Sequence, residues 1–466
     1  MSYLDENGLA RATTNLKIYI DNEIAQIGGD TSFTISLPNN FASSNNIYYV
    51  KVTDNKYLIS ANTINIGVWE YTKSTNSIVQ LYSVGYWQYF QVIGTKCLIA
   101  SSNSNGVLLY DSSVGTITKL FDEGRDWSIF TIVGNKLLIS GSSSSATGVL
   151  LYDSSNDTIT KIYSTGYNWQ YSQVMGNNCL FSSYDVGSSR NDGVLFYNGT
   201  TKTIEQLYTT GSNWRYFNVI ENNCLISGST TNSVGVLLYD SSNNTITQIY
   251  SSGNTWVNSQ AMGNKLLISG STGTGVALYN NMTKTFTQIY STGYNWQYFQ
   301  VMGSKCLISG SNNSSLGILL YDGSNDTITQ IYSTNYSWHY FQVIGSKCLI
   351  SNSQTNGTGI LLYDSLTNTL TQLYSSGYQW QYFQMIGNNC LITSSYNGTA
   401  TRGVLLYNDT AGTITRIYTY GEFLNIFTQD TGNNYFIESS HVVNPRKLYY
   451  NDTNQTVTLV GYKIGE

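Results

Sequence analysis

The sequence has few charged residues, prolines and histidines: 11% of its 466 residues are charged, with 2 Pro and 2 His. Its 22 basic residues are scattered and the formal net charge is −5, whereas a nucleic-acid surface needs clustered Lys and Arg. No apolar run approaches the roughly 20 residues that span a bilayer. Residues 1–8 lack both a basic start and an apolar stretch, so we expect no secretory signal and assembly in a cytoplasm.

Aromatic and turn-forming residues are abundant instead. The chain has 40 Tyr, 9 Trp and 42 Gly, and its apolar runs are rich in Thr, Val and Ile. Branched and aromatic side chains favour strands, and Gly, Asn and Ser between the runs favour turns. With 41% hydrophobic residues the chain can form a core, so we expect a folded all-β protein with polar loops.

A repeat dominates the sequence. The segments YNWQYFQVMGSKCLIS and YSWHYFQVIGSKCLIS begin two successive units. Eight marker tryptophans follow one another at spacings of 40 to 45 residues: Trp87, Trp127, Trp169, Trp214, Trp256, Trp296, Trp338 and Trp380. Two degenerate copies, with Ile47 and Leu424 in the tryptophan position, complete about ten units of about 42 residues over 47–466. Atypical end copies are expected in a repeat array.

Each unit contains four strand-like segments. In the seventh unit they are 296–302, 305–309, 317–321 and 327–332. Four short strands in about 42 residues are typical of a propeller blade. The sequence thus predicts a β-propeller of about ten four-stranded blades, with two five-bladed propellers as the alternative. The spacing resembles that of WD40-like blades, although the Gly-His and Trp-Asp dipeptides of that family are absent; the resemblance concerns the architecture.

Residues with reactive side chains follow the repeat and are explained by it. The six cysteines share one position in the second strand, which other units fill with Leu or Tyr: Cys97, Cys179, Cys224, Cys306, Cys348 and Cys390. We expect packing there and no disulfide. Five aspartates follow the third strand and alternate with Asn, as turn residues do: Asp111, Asp153, Asp240, Asp322 and Asp364.

The remaining acids and histidines form no recognisable catalytic group. His339 and His441 lie in different units with no Cys or carboxylate cluster beside them. Glycosidase chemistry needs two acids facing one cleft, and the acids that break the repeat do not cluster: Asp126, Asp185, Glu205 and Glu221. We therefore expect no enzyme, no metal and no cofactor; calcium at the turns and a glycan hydrolase or lyase are the alternatives.

The loops that precede each first strand are the candidate binding site. They carry a Gly-Tyr-Asn-Trp type motif, and the loops between second and third strands, on the same face, are rich in Asn, Ser and Thr. Aromatic rings stack on sugars, and amides and hydroxyls pair with sugar hydroxyls; the alternative for each Trp is packing between blades. The candidate ligand-binding residues are Tyr86, Trp87, Tyr167, Asn168, Trp169, Tyr294, Asn295, Trp296, Tyr336, Trp338, Tyr378 and Trp380.

Residues 1–29 differ in texture from the propeller at 30–466, whose repeat units start at 47. Thr14 can cap a helix that ends at Gly28-Gly29. Its apolar residues would form one stripe for oligomerisation: Leu16, Ile20, Ile24 and Ile27. Thirteen residues make no stable helix alone, so we expect this stripe to pack on partner helices or another protein, or else on the side of the propeller.

The segment MSYLDENGL, followed by KIYID at 17–21, resembles the opening of tail-fibre and minor structural (receptor-binding) proteins of phages and prophages of Gram-positive bacteria. Such proteins usually continue with Leu-Trp-x-Lys, where this chain has Ala-Arg-Ala-Thr at 10–13. The resemblance implies a virion tail protein, usually trimeric, that joins other tail proteins through its N-terminus and recognises the host surface with its distal domain.

The sequence thus predicts a non-enzymatic phage tail or tail-like-particle protein whose propeller recognises a host-surface glycan or protein. The partners expected are other virion tail proteins and the host surface, with no nucleic acid and no membrane insertion. A scaffolding tail protein that docks other virion proteins, and a lectin-like propeller unrelated to phage, are the alternatives.

Overall fold

The structure is a computed structural model. It describes residues 15–19, 32–36, 41, 46–61, 66–103, 106–141, 148–165, 168–183, 193–211, 214–228, 235–251, 256–270, 275–293, 295–310, 317–333, 338–352, 359–375, 380–394, 403–419, 424–439 and 446–462. Two compact units divide the chain at residues 1–217 and 218–466. The boundary lies inside a strand of the fifth sheet, so the units are not two sets of five complete sheets.

Ten four-stranded antiparallel sheets follow one another along the chain, and they are the blades of a ten-bladed β-propeller, as predicted. In each blade the four strands, a to d, pair in sequence order. The strands of blades 1 to 4 are Ile47–Lys51, Lys56–Ala61, Val68–Thr72 and Ser77–Tyr82; Tyr89–Ile93, Lys96–Ala100, Val107–Asp111 and Thr116–Phe121; Ile129–Val133, Lys136–Ser140, Val149–Asp153 and Thr158–Tyr163; Tyr171–Met175, Asn178–Ser182, Val194–Asn198 and Thr203–Tyr208.

Blades 5 to 10 follow the same order, with a longer strand a in blades 5 to 9. Their strands are Trp214–Ile220, Asn223–Gly228, Val236–Asp240 and Thr245–Tyr250; Trp256–Met262, Lys265–Gly270, Val276–Asn280 and Thr285–Tyr290; Trp296–Met302, Lys305–Gly310, Ile318–Asp322 and Thr327–Tyr332; Trp338–Ile344, Lys347–Asn352, Ile360–Asp364 and Thr369–Tyr374; Trp380–Ile386, Asn389–Ser394, Val404–Asn408 and Thr413–Tyr418; Leu424–Gln429, Tyr435–Ser439, Arg446–Asn451 and Thr456–Tyr462. Among the described residues, no helix has the length and apolarity to cross a membrane.

The burial of each strand explains its composition. In blade 7 the first four residues of the apolar strand c, Ile318–Asp322, are buried, because both faces of the sheet are covered. The last residue, Asp322, is partly exposed. Strand d, Thr327–Tyr332, exposes its Thr and Gln side chains and half-buries its Ile and Tyr side chains, as an outer strand does. Antiparallel connectivity puts the a–b and c–d turns at one end of a blade, the turn edge, and the b–c and d–a loops at the other, the loop edge.

The marker tryptophans pack between consecutive blades. Trp296 contacts Leu267 and Val276 of the preceding blade and Cys306 and Leu319 of its own, and all five are buried. Its ring also meets the last tyrosine of the preceding strand d edge-on; the same contact recurs, with centroids 5.5–5.9 Å apart, in the pairs Tyr82–Trp87, Phe121–Trp127, Tyr163–Trp169, Tyr208–Trp214, Tyr250–Trp256, Tyr290–Trp296, Tyr332–Trp338 and Tyr374–Trp380.

A buried hydroxyl adds a hydrogen bond to the seven consecutive junctions from blade 3 to blade 10. Ser140, at the end of strand b in blade 3, donates its Oγ hydrogen to the carbonyl oxygen of Trp169 in blade 4 over 2.6 Å. The same bond recurs from Ser182, Ser227, Ser269, Ser309, Ser351 and Thr393 to the next marker position. This hydrogen bond fixes how far each of these strands a is shifted along its length relative to strand b of the preceding blade.

The cysteine prediction is confirmed. All six thiols are free and buried, and burial raises the pKa of Cys97 and Cys306 to about 12. A thiol held in its neutral form is a poor nucleophile and a poor metal ligand.

The helix predicted in the N-terminal segment is wrong where the structure describes it. Asn15–Tyr19 is a strand that pairs antiparallel with Ser32–Ser36, in a two-stranded sheet separate from the blades, and Leu16 faces Ile35 in that register. Its residues alternate and include β-branched Ile18, which suits a strand with a partner. Ile20, Ile24 and Ile27 lie outside the described residues, so the oligomerisation stripe and the division at residue 29 stay predictions.

The glycine that precedes strand c, Gly317 in blade 7, lies too close to the backbone of strand d to carry a side chain. We expect Gly317→Asn to destabilise the protein by about 3 kcal/mol and Gly303→Asn by less than about 1 kcal/mol. Both residues have positive φ, 98° and 61°. A Cβ at 317 would lie 1.8 Å from the carbonyl oxygen of Tyr332, whereas no atom lies within 4 Å of a Cβ at 303. Urea unfolding midpoints measure the difference, and equal midpoints would contradict it.

Candidate functional site

The five tryptophans predicted to contact ligand are buried. Trp87, Trp169, Trp296, Trp338 and Trp380 are at most 2% exposed. The indole Nε1 of Trp87 donates to the carbonyl oxygen of Val84 at 2.8 Å, and that of Trp296 to the carbonyl oxygen of Thr292 at 3.1 Å. A ring enclosed on both faces cannot stack on a sugar, so the packing alternative holds for these side chains and the ligand-contact prediction does not.

Three other predicted site residues are described, and each has a defined local role. Tyr86 is half-buried; its hydroxyl lies 3.3 Å from that of Tyr48, and burial chiefly raises its pKa to about 12. Asn168 and Asn295 have left-handed backbones, with φ of 66° and 59°, which Asn accepts better than most residues. Tyr167, Tyr294, Tyr336 and Tyr378 lie outside the described residues, so their ligand contacts stay predictions.

The loop edge of the blades also carries side chains that the sequence analysis did not propose as ligand-binding. They occupy the two residues that follow each marker tryptophan, here called the post-tryptophan positions. In the compact unit formed by residues 1–217, the exposed guanidinium of Arg215 lies over two aromatic rings. Its carbon Cζ is 5.3 Å from the ring centroid of Tyr171 and 5.2 Å from that of Tyr216. These contacts join blade 5 to blade 4 and keep a cation and two half-buried rings at the surface.

In the compact unit formed by residues 218–466, the post-tryptophan positions bring together Tyr298 and His339. Their ring centroids lie 4.3 Å apart and the ring planes are tilted by 31°, which makes a close aromatic contact between blades 7 and 8. The His339 Nε2 is buried and has no hydrogen-bond partner among the described residues. Burial lowers the pKa of His339 below 6.5, so the imidazole is neutral at pH 7.

Asn352 lies beside this pair on the loop edge. It is the last residue of strand b in blade 8 and is in register with Trp338, which precedes His339. Its side chain is fully buried, and within the part of the chain that the structure describes neither its Oδ1 nor its Nδ2 has a hydrogen-bond partner. Buried amides without partners are rare. Donor and acceptor groups are therefore left over at the loop edge of blade 8.

A departure from the repeat marks Arg215, His339 and Asn352, whereas the tyrosines beside them are common to most units. Arg215 and His339 replace the Gln found in several units after the tryptophan, and Asn352 replaces the glycine of blades 6 and 7, Gly270 and Gly310. Comparing the units position by position could have found them. Matches to the repeat pointed to the tryptophans, which are structural.

The turn-edge aspartates act as predicted and also join blades. Asp111 Oδ1 accepts hydrogen bonds from the backbone N–H of Ser113 at 2.9 Å and from its hydroxyl at 2.6 Å, and these bonds lower the Asp111 pKa. Lys96 of blade 2 forms a 2.6 Å ion pair with Asp157 of blade 3. No group of three or more His, Cys, Asp or Glu side chains placed to hold a metal occurs among the described residues.

Comparison with known proteins gives a likeness of fold only. No protein-family model matches the chain, and no curated protein matches it. Solved structures that align include AztD from Citrobacter koseri, 11% identical over 70% of this chain and 95% of that chain with a TM-score of 0.34. The computationally designed Ika8 protein is 9% identical over 72% and 97%, with a TM-score of 0.31. The tricorn protease is 10% identical over 89% and 44%, with a TM-score of 0.24.

The neutral state of His339 predicts a pH dependence. Because its folded pKa lies below 6.5, the unfolded chain binds a proton first as pH falls through about 6.5. We therefore expect the free energy of unfolding of the natural protein to decrease as the pH is lowered from 7 toward the folded pKa of His339. The decrease should be smaller in the variant His339→Gln, which has the Gln found at this position in other blades. Urea unfolding at several pH values and the NMR titration of His339 measure this. Parallel pH profiles, or a titration midpoint above 6.5, would contradict it.

Proposed function

We propose that this protein is a non-enzymatic binding protein of a phage tail or tail-like particle, and that the loop edge of its blades contacts a glycan on the host surface. The observation that carries the proposal is the set of half-buried rings at the post-tryptophan positions, with the exposed guanidinium of Arg215 over two of them. Half-buried rings lie at these positions in more than one blade, such as Tyr171 in blade 4 and Tyr298 in blade 7, so contact would be multivalent.

The chemistry of the loop edge suits a sugar. Aromatic faces, as at Tyr171 and Tyr298, stack on the C–H faces of pyranose rings. The exposed guanidinium of Arg215 donates hydrogen bonds that sugar hydroxyls can accept. The Asn-, Ser- and Thr-rich loops of the sequence would supply further partners for hydroxyl groups.

The phage assignment rests on the N-terminal resemblance. In that proposal the segment before the propeller joins other virion tail proteins and brings chains together as a trimer, so that several propellers face the host at once. Linking several weak sites raises the overall binding strength without any new contact. The protein would then be assembled in the host cytoplasm and act in the virion tail.

Substitution at the loop edge tests the proposal. We expect the double variant Tyr171→Ser/Arg215→Gln to bind purified Gram-positive cell walls or arrayed glycans about tenfold more weakly, since a central contact is worth about 1.4 kcal/mol. Leu366→Ser is the matched control, because Leu366 is 80% exposed on a c–d turn at the turn edge. Binding is measured on the intact chain by surface plasmon resonance.

Three results would contradict the recognition role. They are no binding to any wall or glycan, equal loss in the Leu366→Ser control, and a loop edge buried against other tail proteins in an assembled particle. The last result would select the scaffolding function. Turnover of host polysaccharide that one acid-to-amide substitution abolishes would show an enzyme instead.

A further inference from the structure

The turn edge carries a hydrogen bond that is repeated in nearly every blade. The tyrosine near the end of strand c is buried, and its hydroxyl donates to a carboxylate or amide oxygen. Tyr152 to Asp157, at 2.8 Å, is typical. The other pairs are Tyr71–Asn76, Tyr110–Glu70, Tyr239–Asn244, Tyr279–Asn281, Tyr321–Asp326, Tyr363–Asn368, Tyr407–Asp409 and Tyr450–Asp452.

The same acceptor often receives a lysine from the preceding blade. This lysine is the first residue of strand b. The Lys96 Nζ lies 2.6 Å from Asp157 and the Lys265 Nζ 2.6 Å from Asp326. In these junctions a carboxylate therefore sits between a cation and a phenol hydroxyl, and it satisfies both.

Blade 4 departs from this pattern. In most blades the residue that accepts this hydrogen bond stands two or five positions after the tyrosine. In blade 4 these positions, counted from Tyr197, hold Gly199 and Lys202. Tyr197 is fully buried, and its hydroxyl has no hydrogen-bond partner among the described residues. Burial raises the pKa of Tyr197, so this hydroxyl remains a donor at neutral pH.

Of the two lysines at this junction, only one forms an ion pair with a described carboxylate. Lys202 turns to Asp153 of blade 3, 2.8 Å away. Lys136, the lysine that would reach the missing acceptor, has its Nζ 3.3 Å from the amide oxygen of Asn135 and forms no ion pair with a described residue. The local charge is therefore positive, with a buried donor beside it.

A cavity of about 100 Å³ occupies the place of the missing acceptor. Its lining includes Asn135, Lys136, Asn177, Tyr197 and Gly199. A water molecule takes about 30 Å³, so the space admits an ion of a few heavy atoms. The unpartnered phenol and the lysine without a carboxylate thus line the same cavity.

We propose that this cavity, between blades 3 and 4 at the turn edge, binds the carboxylate group of a small ligand. The ligand carboxylate takes the place of the aspartate side chain of the other blades, accepting hydrogen bonds from the Tyr197 hydroxyl and the Lys136 ammonium. The site is independent of the glycan surface proposed at the loop edge, since it lies at the opposite end of the blades.

The repeat itself supplies the test. Acetate is the probe, with acetamide as the neutral analogue and chloride as the ionic-strength control. We expect 10 mM acetate to raise the melting temperature of the natural chain by about 2 °C, and isothermal titration to give one site per chain. Lys202→Asp restores the aspartate found at 157 and 326, and should melt higher without acetate and lose the acetate response.

Two further variants separate binding from folding. Lys136→Asn copies Asn178 and Asn223, which begin strand b in two other blades, and Tyr197→Phe keeps the ring; each should weaken acetate binding at least tenfold while circular dichroism stays unchanged. Equal responses to acetate and chloride, or a full acetate response in Lys202→Asp, would overturn the proposal. Binding of acetate and acetamide with equal strength would also overturn it.

Discussion

The junction between consecutive blades depends on the marker tryptophan. Its indole fills the space between two sheets, its ring edge meets the last aromatic residue of the preceding strand d, and its carbonyl oxygen accepts the buried hydroxyl of the preceding strand b. Packing sets the distance between the sheets and the hydrogen bond sets their height. The burial of the second and third strands and the neutral state of the cysteines follow from sheets held this closely.

Most of the fold could be predicted from the sequence, because the same unit occurs about ten times. A strand that is hard to recognise in one copy of the unit is recognisable in the others. The four strands of blade 7 were placed within one residue of their observed bounds. The N-terminal segment failed because it occurs once: Leu16 fits a helical stripe as well as a strand, and only its pairing with Ile35 decides the matter. Strand partners that are distant in sequence leave no periodic signal.

The candidate site was predicted less well, and for a physical reason. The features that recur in most units, such as Trp296 and Cys306, recur because every junction must be filled with a buried side chain, so repetition marks structure. Groups able to bind something else occur where one unit differs, as at Arg215, His339, Asn352 and Lys202. Whether such a difference leaves a donor without a partner depends on the neighbouring blade, which the sequence of a single unit does not contain.

Each blade takes all four of its strands from one contiguous segment, and blades 1 and 10 are no exception. Among the described residues, strand pairing within the blades thus joins only strands that follow one another in the sequence. Duplication or loss of one whole unit in the gene would leave every remaining sheet intact and would change only one junction, which any Ser–Trp pair can rebuild. Such an architecture can vary in length by whole blades, and a single blade can diverge toward a new ligand while the others maintain the core.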